Sequence, residues 1–193
     1  WPGQGLPDQI VERAALFQQD AIAVVDVDTV AGVVRAHAAG LELGVRVICG
    51  VELLLDEGAL VLLAASLEGW THLCEILTEA KRGLEKDDVD HRLDRVLDRA
   101  NGLWAITPGL FDAAALEHVR DAFGERLSLG VCFHAVAEDR ARLAFVRAQS
   151  QRLGVDIVLS GRPFLVDTSD KPLHDVLTCI RQPLTIDHAG QRL

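Results

Sequence analysis

The sequence contains no methionine, no tyrosine and no pair of closely spaced cysteines. The missing methionine sets an expectation that residue 1 is not a biological start. Cys49, Cys74, Cys132 and Cys179 are far apart, and without a CxxC pair neither a structural zinc nor a dithiol redox motif is indicated. They read as buried small hydrophobes in a reducing cytoplasm. No run of eighteen apolar residues offers a membrane span, and no basic segment followed by an apolar one opens the chain as a secretory signal. Phosphate-binding patterns are missing too. There is no GxxxxGK[ST], no GxGxxG following a strand, and no GxSxG elbow. Positive charge is in deficit, with 19 Lys and Arg against 29 Asp and Glu, a net charge of −10. A surface of that sign repels a phosphate backbone, so this chain alone is a poor nucleic-acid-binding module.

What is present is an ordinary globular composition, 49% hydrophobic and 25% charged over 193 residues, enough for one domain spanning residues 1–193. The segment from Val24 to Glu52 reads as strand, tight turn, helix, glycine stop and second strand. Ala21–Val25 is a continuous apolar run suited to a buried parallel strand. Asp28 reads as the N-cap of a helix from Thr29 to about Ala39, ended by Gly40 or Gly44. Val45–Ile48 reads as the next strand. Val51–Leu55 and Ala59–Ala65 flank Asp56-Glu57-Gly58, a hairpin signal.

Around this segment, helices are expected over residues 7–19, 68–82, 93–100, 112–123, 138–153 and 172–181. Further strands are expected at 103–107, 127–133 and 155–160. Trp70 and Trp104 read as core anchors, and Trp1 as a cover for the barrel opening. Alternating strands and helices with one inserted hairpin predict parallel strands joined by helical crossovers. Six or seven strands suit an α/β barrel or a doubly wound sheet. In a barrel the chemistry collects at the C-terminal strand ends, here Asp26, Asp28, Glu52, Thr107, His134, Ser160 and Arg162. The acidic run Asp87, Asp88, Asp90 lacks the glycine and distal glutamate of a calcium loop and reads as a solvated turn.

Four stretches, taken in order, resemble a known family. VERAALFQQDAIAVVDVDTVAGVVRAH, GVRVICGVELLL, LVLLAASLEGWTHLCEILTEAKR and KPLHDVLTCIR are similar to the PHP (polymerase and histidinol phosphatase) domain of bacterial C-family DNA polymerases. The likeness is to the DNA polymerase III alpha-subunit family, error-prone branch. It implies a distorted (β/α)7 barrel, here lacking or truncating its first strand, as a piece of a longer polymerase chain.

PHP phosphoesterases hold up to three metal ions on His, Asp and Glu ligands, which generate hydroxide and clamp phosphate oxygens. Carried over position by position, few ligands remain. The first His-x-His has no counterpart. Val27 stands where a ligand histidine is expected, between Asp26 and Asp28. Glu52 matches the glutamate, His91 is the one imidazole near the fourth position, and His134 matches the fifth. Arg162 and Val166 fall where the last Asp and His belong. A guanidinium about 4 Å from a divalent ion costs several kcal/mol at an effective dielectric of about 20, so Arg162 argues against a metal and for an ion pair with Glu52.

The resemblance thus implies a degenerate domain with no catalytic residues and no metal of its own. It would act as a scaffold for the rest of the polymerase and for accessory subunits, with DNA bound through the parent enzyme and magnesium required there. The alternative is a working phosphoesterase using zinc or manganese, with Glu52 and His134 as its metal ligands.

Overall fold

The computed structural model describes residues 6–85, 88–133, 138–160 and 167–189. The element order is α1 (Pro7–Leu16), β1 (Ala21–Val27), α2 (Val33–Leu43), β2 (Arg46–Leu55), β3 (Gly58–Ala64), α3 (Leu67–Lys81) and α4 (Leu93–Leu97). It continues with β4 (Leu103–Thr107), α5 (Ala113–Phe123), β5 (Leu127–Val131), α6 (Glu138–Leu153), β6 (Asp156–Leu159), α7 (Lys171–Arg181) and α8 (Ile186–Ala189). The six strands form one curled sheet in strict sequence order, β1-β2-β3-β4-β5-β6. β1 pairs parallel to β2, β3 runs antiparallel to both β2 and β4, and β4, β5 and β6 are parallel. The mixed α/β class and the inserted hairpin follow the expected plan, with six strands among the described residues.

Local chemistry explains most boundaries. Pro7 opens α1, where its missing N–H removes nothing from the helix ladder. Ser66 caps α3 by accepting the Gly69 N–H at 3.1 Å, and Asp112 caps α5 by accepting from Ala114 and Ala115 at 3.0 and 2.8 Å. Gly44 ends α2 in the left-handed conformation, with its N–H on the Gly40 carbonyl. Gly58 supplies the positive φ that turns β2 into β3.

Several expectations change. Val45–Ile48 and Val51–Leu55 are not separate strands. Gly50, which pairs with both Val25 and Leu63, lets one ten-residue strand run through, because a Cβ there would meet Leu62 and Leu63. The second helix begins at Val33 rather than Thr29, and the helix expected over 93–100 stops at Leu97. Trp104 is no core anchor: β4 alternates, burying Leu103, Ala105 and Thr107 and leaving Trp104 45% exposed. Trp70 is half-buried, and Trp1 lies outside the described residues.

The main core lies between one face of the sheet and α3, α4 and α5. Val51, Leu53, Leu60 and Leu62 from the β2–β3 hairpin meet Leu73, Leu77, Val96, Leu116, Val119 and Phe123. A smaller cluster of Val11, Ala14, Val24, Ala36 and Val45 seats α1 and α2 on β1. Polar ties hold the outer elements. Arg99, just past α4, bonds Glu75 and Glu79 of α3 at 3.2 and 2.6 Å. Arg126 donates to the carbonyls of Ala100 and Leu103, fixing the turn before β4.

That turn also presses on the start of α3, where a Cβ on Gly69 would fall 1.8 Å from the Gly102 carbonyl oxygen. Backbone occupies that space, so Gly69→Ala is expected to destabilise the domain by about 1–3 kcal/mol, the usual range for forced overpacking. Gly109→Ala, with open space around the new methyl, is expected to stay within about 0.5 kcal/mol. Urea unfolding followed by tryptophan fluorescence measures both; equal midpoints for the two variants would refute the close approach.

Candidate functional site

Because β3 alone runs in reverse, β1, β2, β4, β5 and β6 point the same way, and Asp26, Val27, Asp28, Thr107 and Ser160 fall at or just past strand ends on one side of the sheet. The β1–β2 register sets Val27 opposite Glu52 and Asp26 opposite Val51. Residues paired in register share a face and successive residues alternate. Val27 and Glu52 therefore share one face, and Asp26 shares the helix-covered face of Val51.

Asp26 accordingly serves the backbone. Its Oδ2 accepts the Gly32 N–H at 3.2 Å, at the entry of α2. Burial raises its carboxyl above the usual range, and the Gly32 N–H pulls it partly back. The capping role expected of Asp28 is not taken up: Gly32 stands at the N-cap of α2 with no side-chain cap, and Asp26 holds the N–H of that glycine. Asp28 has φ 55°, and this left-handed turn carries the chain off β1 instead of starting a helix. Its N–H bonds the Glu52 carbonyl at 2.9 Å, extending the β1–β2 ladder by one residue.

The freed Asp28 side chain meets His91, sixty-three residues later. His91 Nε2 lies 2.8 Å from Asp28 Oδ1, the imidazole being 1% exposed and the carboxylate 17%. Two backbone contacts deliver the histidine and close the node. The Asp90 N–H bonds the Ala80 carbonyl at 2.8 Å, folding this segment over the end of α3, and Lys81 Nζ donates to the Asp28 carbonyl at 2.6 Å. The acidic turn is therefore more than a solvated run, since Asp90 anchors it through its backbone; Asp87 lies outside the described residues. His91 Nδ1 is buried and has no hydrogen-bond partner among the described residues.

Glu52 is buried at 8% exposure and Thr107 at 2%. The cysteines divide: Cys132 and Cys179 are buried as expected, while Cys49 and Cys74 are partly exposed, with burial raising both of the latter thiols. His134, Arg162 and Val166 lie outside the described residues, and so does the expected pairing of Arg162 with Glu52.

A family model described as "PHP domain" matches residues 2–140, well over half of the sequence. The chain belongs to the PHP domain family. This PHP domain is 37% identical over 206 aligned residues to an error-prone DNA polymerase of Anaeromyxobacter sp. strain K, covering 99% of this chain and 18% of that protein. It is 36% identical over 192 residues to the error-prone DNA polymerase of Pseudomonas savastanoi pv. phaseolicola, and 33% identical over 200 residues to that of Xanthomonas axonopodis pv. citri. The chain spans less than a fifth of the length of these curated relatives. Among solved structures, the fold is similar to that of a Bifidobacterium adolescentis protein described as a metal-dependent phosphoesterase, with TM-score 0.55, 14% identity and 82% of each chain covered. It is also similar to an amidohydrolase from Chromobacterium violaceum, with TM-score 0.54, 16% identity and 84% of each chain covered.

The PHP fold implies metal, and the described residues do not by themselves fit one. Among them, no three His, Cys, Asp or Glu side chains come together. The Asp28 carboxylate is engaged by His91, the turn position between the aspartates is Val27, and the Lys81 ammonium brings positive charge to the Asp28 carbonyl. The arrangement instead ties β1, β2, α3 and the segment before α4 into one node.

Asp28→Asn tolerates the left-handed backbone and keeps an acceptor for His91, so it is expected to cost less than Asp28→Ala, which loses both. A double-mutant cycle of Asp28→Ala with His91→Ala is expected to give a coupling of about 1–3 kcal/mol in denaturant unfolding; a value near zero would show that the contact carries no stability. For Asp26, the raised folded-state pKa means that wild-type stability from this group is fully present below the ordinary carboxylate value near 3.8 and declines as pH rises through the folded value. The advantage of Asp26→Asn should therefore grow with rising pH across that window, read as the difference in thermal midpoint between pH 4 and pH 7.

Proposed function

We propose that this chain is the PHP domain of an error-prone C-family DNA polymerase and that it serves there as a scaffold without hydrolytic chemistry of its own. The observation that carries the reading is the 32–37% identity to error-prone DNA polymerases along nearly the whole chain, of which it spans under a fifth. DNA synthesis, with its magnesium, belongs in this reading to parts of the polymerase outside these residues. The acidic charge of −10 fits a domain that contacts protein rather than the template. Its partners are the remainder of the polymerase and accessory subunits, in the cytoplasm.

The scaffold part of the proposal rests on how side chains at the candidate site are used. Asp28, His91 and Lys81 make contacts that hold strands and helices together, and Val27 supplies no donor atom. Arg162 and Val166, standing where ligands are expected, add to this from the sequence. The second reading, a phosphoesterase using zinc or manganese through Glu52 and His134, is favoured by one observation, the buried Nδ1 of His91, which has no partner among the described residues.

The native polypeptide carrying this sequence is expected to be several-fold larger than 21.0 kDa by immunoblot and mass spectrometry, and to extend a primed template with magnesium. Dialysis against manganese or zinc is expected to leave the domain with no stoichiometric metal. Tight one-to-one metal binding, together with phosphate-ester hydrolysis abolished by Glu52→Ala, would replace the scaffold reading with the second one.

A further inference from the structure

The helix α7, KPLHDVLTCIR, is strongly amphipathic, yet it lies on the domain the wrong way round. At about 100° per residue, Leu173, Val176, Leu177 and Ile180 fall in one stripe about 100° wide. All four are exposed, Ile180 to 70%. The opposite side carries Thr178 and Cys179, which are buried, and Asp175, which is mostly covered and bonds Lys171 at 2.8 Å. A helix completed by its own domain turns its apolar side inward. Here the chain buries a threonine and a cysteine while presenting two leucines, a valine and an isoleucine to the outside.

The position of α7 is nonetheless set. Asp167, which opens the short turn leading into the helix, forms an ion pair with Arg13 of α1 at 3.0 Å. The same Asp167 accepts from the Ser169 backbone at 3.0 Å, and burial of Thr178 and Cys179 fixes the roll of the helix about its axis. The stripe is thus held outward by contacts on the other side.

We propose that this stripe is the docking surface for the remainder of the parent polymerase chain, which covers it with an apolar surface of its own. The inference rests on the polymerase reading above, and it names where the scaffold engages its load. The occupant follows from length and spacing. The curated relatives are more than five times as long as the part matched here, since this chain spans 18–19% of them, so a covering body of the same polypeptide is available. Anchors at i, i+3, i+4 and i+7 are the pattern by which a helix seats in an apolar groove. Attachment within one polypeptide gives such a modest patch a high effective concentration of its partner.

The test uses the full native polypeptide, whose mass is measured first. A mass near 21.0 kDa leaves no remainder to dock and overturns the polymerase reading and this proposal together. With a large polypeptide in hand, hydrogen exchange of residues 171–181 is compared between the unmodified protein and the double substitution Leu177→Glu, Ile180→Glu. A control, Val34→Glu with Leu41→Glu, alters two equally exposed apolar residues on α2.

The proposal expects the α7 substitutions to speed exchange in 171–181 by tenfold or more, to lower the thermal midpoint by several degrees and to open the polypeptide to cleavage between this domain and the rest. The α2 control should do none of these. If both double variants leave exchange, midpoint and cleavage unchanged in a large, polymerising protein, the docking surface is wrong while the polymerase reading stands. If the α7 variant instead converts a dimer to a monomer by sedimentation, with domain cleavage unaltered, the stripe binds a second copy and the proposal is overturned in that way.

Discussion

The antiparallel return of β3 between β2 and β4 is the constraint on which the rest of the structure depends. Its Leu60 and Leu62 are fully buried, Leu60 opposite Leu53 of β2 and Leu62 between Val51 of β2 and Ala105 of β4. By running backwards once, it allows every other strand to run forwards, so that one end of the sheet receives the ends of five strands. Burial on both flanks fixes the register, since a slip of one residue would turn Leu60 and Leu62 away from α3. The same register places Glu52 against Val27 and brings the β1 turn to a defined height.

At that height the protein has a structural problem to meet. Several polar groups sit at strand ends, partly or wholly out of water, and each needs a counterpart. Here a histidine, a lysine and backbone amides provide it for Asp28 and Asp26. A contact between a carboxylate and an imidazole satisfies two directed positions; a divalent ion would gather several oxygens at once. The direct contact is the narrower solution. It also joins elements sixty-three residues apart, which gives the segment before α4 a fixed seat despite its polar composition.

Much of the fold could be read from the sequence because its signals are local. Ser66 and Asp112 cap the helices they precede, Gly58 turns the hairpin, and β4 and α6 occupy the residues their patterns indicate. Trp104 was also legible in principle: strict alternation through LWAIT puts it on the side opposite Leu103 and Ala105, and size alone was a poor guide to burial. Asp28 was misread for a better reason. An aspartate before a helical pattern is a good cap by composition, and nothing in the sequence announces the positive φ of Asp28 or the later start of α2 at Val33. His91 could be identified as the imidazole of its region, but its pairing depends on tertiary placement that no local pattern contains. The outward stripe of α7 was hidden differently: periodicity locates an apolar face, while only the packed domain shows which way that face is turned.

The strict sequence order of the sheet has a kinetic consequence. Every strand pairs with the strand before it and the strand after it, so no pairing waits for a distant part of the chain. The longest connection to be closed is the one from β3 to β4, which carries α3 and α4, and the entropic cost of closure grows only slowly with length. Such a sheet can grow from one end by addition of successive strands, each finding its template already formed. Neighbours in sequence are neighbours in the sheet, which keeps the separations between paired strands shorter than a shuffled strand order would. Assembly during synthesis, strand by strand as the polypeptide emerges, is a natural route for it, with little time for an unpaired edge to meet a neighbouring molecule.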